Sequence, residues 1–167
     1  RLMAPILSFT AEEIWEMLPG DGKEPSVHLA AFPAIDESIL DDKLEGAWDR
    51  IIEVREQVQK TLEEARRAKT IGHSLDASVT LAAKGTEKAL LEKYAADLAD
   101  IFIVSKVELV ETMPKGAAAS ESIPGLFIAV AKAPGAKCPR CWNYTEDIGT
   151  DSAHADVCGS CAANLKG

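Results

Sequence analysis

Long apolar runs are missing from this chain of 167 residues. A membrane-spanning helix needs about 18 or more consecutive apolar residues, and the longest stretches here, such as residues 126–131, reach only a handful, so a transmembrane segment is excluded. Also lacking is the basic region followed by an apolar run that marks a secretory signal, because the first thirty residues are acidic. These two absences point to the cytoplasm. Positive charge is scarce too: 18 basic residues face 27 acidic ones, a net of −9. The molecule as a whole should repel a phosphate backbone, and any nucleic-acid contact has to be local. The one clearly non-acidic stretch, residues 113–137, sets three lysines against a single glutamate and runs straight into the first pair of cysteines.

What is present is the composition of a folded domain, 47% hydrophobic and 27% charged, which argues against a collagenous, mucin-like or disordered chain. At this length folding should bury roughly 70% of the unfolded surface. The opening Leu2-Met3-Ala4-Pro5 reads as the interior of something already under way, so a fragment is expected. Thr10 and Glu13 have the spacing of a capping box, with Phe9 and Ile14 as its hydrophobic staple, predicting a short helix over 11–18 that Pro19-Gly20 stops. Leu44, Ile51, Val58 and Ala65 then recur at sevens, with Leu40, Ala47 and Val54 offset by four. That pattern predicts one helix of nearly thirty residues, about 43 Å long, packing on a helical bundle.

Arg66, Arg67 and Lys69 close this helix, and Gly72 can supply its left-handed cap. Their charge either complements the helix dipole or faces RNA. Farther on, residues 78–81 alternate like a strand, 86–98 have helical spacing, 101–110 are β-rich and 126–131 form another strand, together a small α/β unit. Residues 114–125 read as a flexible loop, and Pro134-Gly135 marks a boundary.

All four cysteines lie beyond that boundary: Cys138-Pro139-Arg140-Cys141, sixteen residues, then Cys158-Gly159-Ser160-Cys161. Two C-x₂-C knuckles separated by 15–20 residues bring four thiolates around one ion, because each tight turn aims two sulfurs at a common point. Zinc is expected, although rubredoxin-type iron uses the same ligands. A closed four-sulfur shell leaves no position for water, so the site is structural, and the metal replaces a core that about thirty residues cannot build. His154 lies between the knuckles and reads as a surface or supporting residue, four ligands being present already. Arg140 and Trp142 flank Cys141, a cation and a stacking platform of the kind used on single-stranded loop bases.

The string Cys-Pro-Arg-Cys-Trp-Asn-Tyr-Thr-Glu-Asp-Ile-Gly at 138–149, closed by Cys158-Gly-Ser-Cys161 and Asn164-Leu165, resembles the C-terminal zinc-binding domain of bacterial isoleucyl-tRNA synthetases. Residues 2–15 and Ser26-Val27-His28-Leu29 resemble the end of that family's anticodon-binding bundle, and Val54-Arg55-Glu56-Gln57-Val58 and residues 71–77 its junction region. The resemblance covers essentially the whole chain, in order. It implies ATP-dependent transfer of isoleucine to tRNA-Ile, with this part gripping the anticodon stem-loop as a monomer continuous with the remainder of the synthetase. The signature motifs of the family's ATP-binding catalytic fold are absent, so the fragment alone should be inactive, with no catalytic residue. The family's pattern carries over as zinc ligands Cys138, Cys141, Cys158 and Cys161 and tRNA contacts Arg140 and Trp142, to which Arg66, Arg67 and Lys69 are added from charge. Asn143 departs from the histidine that family members often carry there.

The expected fold is α+β: the end of an anticodon-binding helical bundle over 1–35, a long helix and connection over 36–75, a small α/β junction domain over 76–134 and a zinc-binding module over 135–167. Two rival readings share the cysteine spacing. One is the finger of a formamidopyrimidine-DNA glycosylase, although the opening Arg1-Leu2 lacks that family's proline nucleophile. The other is a zinc-ribbon module binding a protein partner.

Overall fold

The computed structural model describes residues 1–166, and the chain divides into two compact units, Arg1–Asp42 and Lys43–Gly167. In the first, helix α1 (Ser8–Met17) buries Ala11 against Ala4, Val27 and the flank of Trp15. Glu12 holds the following loop by accepting the Val27 N–H and the Ser26 hydroxyl, each at 2.9 Å. The Lys23 ammonium donates to the Leu18 carbonyl at 2.7 Å, satisfying one of the acceptors left free at the helix end.

The expected capping box is not formed. Residues 3–7 already turn helically, the Leu7 N–H donating to the Met3 carbonyl and the Ser8 hydroxyl to Ala4 O, so the helix begins earlier. Thr10 and Glu13 therefore sit inside it, Leu7 at the N-cap offers no side-chain acceptor, and Phe9, 89% exposed, staples nothing.

In the second unit, helix α2 (Asp42–Arg67) shows the apolar periodicity read from the sequence, burying Ile51, Val54, Val58 and Leu62. Its partner is different from the expected bundle. Val54, Val58 and Leu62 belong to one apolar core with Val79 and Leu81 of strand β1 (Ala77–Ala82), Leu91 of α3 (Gly85–Lys93), Leu98 and Phe102 of α4 (Leu98–Phe102) and Ile128 of β4 (Phe127–Lys132). A helix stripe of small branched residues fits a sheet face as well as another helix, and sequence periodicity does not distinguish the two.

The sheet order is β2-β1-β4-β3, with β2 at Lys106–Leu109 and β3 at Ala118–Ala119. β1 and β2 are parallel, Val79 opposite Val107, and the α3–α4 segment makes the crossover. β4 runs antiparallel to β1, Leu81 opposite Ile128, and β3 antiparallel to β4. The single helix expected over 86–98 is broken at Tyr94, and the β-rich segment expected over 101–110 opens with the end of α4. Ile101 and Phe102 are drawn into that helix by tertiary burial, Phe102 being fully covered. The loop over 114–125 contains the short strand β3.

The cap of α2 is likewise displaced. Lys69, not Gly72, takes the left-handed conformation (φ 57°), and the Thr70 N–H donates to Ala65 O at 2.9 Å while the Lys69 N–H donates to Arg66 O at 3.0 Å. These two bonds are the Schellman pair that satisfies the last helical carbonyls. Beyond the cap, the Asp76 carboxylate accepts the N–H groups of His73 (2.8 Å) and Gly72 (3.1 Å) and fixes the entry to β1.

Candidate metal centre and nucleic-acid interface

Strands β5 (Ala136–Lys137) and β6 (Tyr144–Thr145) pair antiparallel, and the first knuckle is the loop between them. The Cys138 N–H donates to Asn143 O and the Trp142 N–H to Cys138 O, both at 2.9 Å, which curls the chain back on itself. Trp142 completes the curl in the left-handed region (φ 68°). Gly135 (φ +85°) lies so close to the returning strand that a Cβ there would meet Thr145 O at 2.2 Å, so only glycine fits. The second knuckle is the start of helix α5 (Gly159–Leu165), with Cys158 as its N-cap and Cys161 in its first turn.

The four sulfurs all lie within 4.8 Å of one another. Cys138 and Cys161 are 3.9 Å apart and Cys141 and Cys158 3.7 Å. A disulfide would place sulfurs at about 2.05 Å; four sulfurs around zinc at about 2.3 Å are separated by about 3.8 Å at the corners of a tetrahedron. Val157 and Ala162 bury the cluster together with Ile148.

The thiols differ in acidity. Burial raises the Cys138 thiol, but the N–H groups of Cys141, Cys158 and Arg140 directed at its sulfur outweigh that and bring it down to about 6. Burial, with neighbouring sulfurs, pushes Cys141 up to about 12, and burial raises Cys158. Four thiolates gathered this closely would be balanced by a dication. The donor set is soft and closed, and it fits one structural zinc ion. His154 lies outside the cluster, in a turn closed by its N–H donating to Asp151 O at 3.2 Å.

Around this centre the cations separate into two groups. Arg66 and Lys69, at the end of α2, line one groove with Lys132 and Tyr144. Arg66 is also paired with Glu63 on its own helix, and Arg67 is exposed. Trp142, 59% exposed, lies beneath the Lys137 ammonium, 5.6 Å from the ring centroid, while Arg140 reaches toward Cys161 O at 3.5 Å. Lys132 and Lys137 belong to no motif, and the only signal that points to them is their place in the non-acidic stretch. Ser105 has no sequence signal at all. Its hydroxyl donates to Leu75 O and accepts the Tyr144 N–H at 2.7 Å, fastening the knuckle hairpin to the mouth of the sheet.

Two family descriptions match the chain: "Anticodon-binding domain of tRNA ligase" over residues 1–81 and "Zinc finger found in FPG and IleRS" over residues 135–164. The class is therefore that of a tRNA ligase region carrying an anticodon-binding domain and a zinc finger. Similar proteins are the isoleucine–tRNA ligases of Geobacter sulfurreducens (52% identity over 165 residues), Syntrophotalea carbinolica (49% over 166) and Klebsiella pneumoniae (40% over 174). Each alignment covers 99–100% of this chain and 18% of the relative. Over its whole length the chain is similar to one region of these isoleucine–tRNA ligases, and it spans about a fifth of their length. The DNA-glycosylase reading is not favoured, since a finger shared with that family is here accompanied by an anticodon-binding domain.

Proposed function

We propose that this chain is the C-terminal, tRNA-gripping region of a cytoplasmic isoleucine–tRNA ligase. In this reading the anticodon-binding end spans 1–35, the long helix and connection 36–75, the junction 76–134 and the zinc module 135–167. Cys138, Cys141, Cys158 and Cys161 hold one structural zinc. Arg140 and Trp142, with Arg66, Arg67 and Lys69, contact the anticodon stem-loop of tRNA-Ile. ATP binding and isoleucine transfer belong to other parts of the ligase, which acts as a monomer, and this region alone is inactive.

The observation that carries the reading is the knuckle itself: four zinc-spaced sulfurs lie beside an exposed tryptophan with the Lys137 ammonium over its ring, in an otherwise acidic chain. Titrating the zinc-loaded chain with the tRNA-Ile anticodon stem-loop should give salt-sensitive binding. Trp142→Ala should weaken it by about 1–3 kcal/mol if the indole stacks on a base. Exchanging Arg66 and Arg67 together for alanine should lower the steepness of log K against log salt by about 0.7–0.9 for each phosphate that these arginines neutralise. Binding that ignores both changes would overturn the assignment of these residues.

A further inference from the structure

The two knuckles are joined by more than their sulfurs. Asp147 follows β6, the strand that returns from the first knuckle, and its carboxylate faces both ways. Oδ1 accepts the hydroxyl of Thr145, which is paired opposite Ala136 within the hairpin. Oδ2 accepts the N–H of Gly159 at 3.0 Å, the residue directly after Cys158. One side chain therefore bridges the end of the hairpin and the backbone that carries the second pair of thiols.

The fit is close. A Cβ on Gly159 would stand 2.7 Å from Asp147 Oδ2, so any side chain there would push the carboxylate off its donor. On its main-chain side, the Asp147 carbonyl accepts the Thr150 N–H at 3.2 Å and the Thr150 hydroxyl at 2.7 Å, starting the loop toward the second knuckle. Among the described residues, the other polar links between the knuckles are long or depend on a ligand sulfur: the Arg140 guanidinium to Cys161 O and the Cys158 N–H to Cys138 Sγ, both at 3.5 Å, and the contacts between the sulfurs themselves.

We infer that Asp147 is a positioning residue for the metal centre: it docks the second knuckle on the first, so that the ion meets four sulfurs already in register. This rests on the zinc reading of the four cysteines. The physical reason is the cost of order. If the second knuckle were untethered, metal binding would have to fix the intervening loop as well as form its bonds, and that ordering would be subtracted from the affinity. Outer partners that hold a ligand-bearing segment typically contribute 10–100-fold to metal affinity.

The test uses the 167-residue chain and zinc alone, with affinity read by competition against a chromophoric chelator and release followed after adding excess chelator. Asp147→Ala should weaken zinc binding 10–100-fold and speed release. Gly159→Ala should do the same while keeping the carboxylate, because its methyl displaces that group. Asp147→Asn keeps a carbonyl acceptor for the Gly159 N–H and should fall between. Cobalt(II) loaded in place of zinc should keep its tetrahedral four-thiolate spectrum in every variant, and the melting of the α/β unit should not move. Wild-type affinity and release in Asp147→Ala and Gly159→Ala would overturn the proposal, as would a cobalt spectrum showing fewer than four thiolates. Failure of the unsubstituted chain to bind one zinc would instead remove the reading beneath it.

Discussion

Lys69 occupies a position that glycine normally fills. A residue with a Cβ held at φ 57° costs about 1–2 kcal/mol relative to right-handed backbone, so the cap alone would select against lysine. Lys69→Gly separates the two roles argued for this position. It should raise stability by about 0.5–1 kcal/mol, the relieved strain being partly offset by glycine's larger unfolded-state entropy. The same exchange should weaken anticodon stem-loop binding. Paired thermal melts and titrations check both signs, and a loss of stability would show the lysine stem to be packed more usefully than its conformation suggests. Individual residues are unevenly legible in the sequence. The four cysteines declare themselves because ligand spacing is a covalent fact of the chain, whereas the choice of Lys69 over Gly72 depends on the turn at which the buried stripe of α2 ends.

Among the elements, α2 shows what periodicity transmits and what it omits. Val54, Val58 and Leu62 are readable as one buried face, but whether that face meets helices or a sheet is decided by partners distant in sequence. Ties with no periodic signal then help to fix its position, among them the Arg50 guanidinium on Glu87 at 2.7 Å and the Arg55 Nε–H on the Ile101 carbonyl at 2.9 Å. The zinc hairpin depends in the same way on Ser105, one hydroxyl among many. Ser105→Ala would strand the Leu75 carbonyl and the Tyr144 N–H, costing about 1–3 kcal/mol where water cannot replace the hydroxyl. Amide exchange should quicken at Tyr144 and leave the centre of β1 protected. Unchanged protection at Tyr144 would mean that the hairpin is held by its apolar packing alone.

For the whole molecule, charge sets the pH limits of the fold. Asp76 is held below its ordinary 3.8 chiefly by the His73 N–H, and Glu87 below 4.5 by Arg50. Groups lowered in the folded state add stability above their unfolded pKa and lose it as pH falls through the lowered values. Lys60 and Lys88 lie above 10.5 through Glu121 and Glu111, so their contribution is complete below 10.5 and disappears as pH rises through the raised values. Melting temperature should thus be level between about 4.5 and 10.5 as far as these groups decide it. On the acid side the zinc module should give way first, because protons compete with the ion for thiolates. Cys158→Ser should likewise release the metal and unfold residues 135–166 while the sheet melts nearly as before; one shared transition would show that tail and sheet fold as a single cooperative body. No helix among the described residues is long and apolar enough to cross a membrane.

The terminal hairpin does not hang from a slack tether. Its Tyr144 amide rests on Ser105, just ahead of β2, and the Ala133 amide rests on the Asp76 carbonyl, just ahead of β1, at 2.7 Å. A tug on the knuckle is consequently borne by the neighbouring ends of two parallel strands. Whatever levers that fingertip works against the stiffness of the entire sheet.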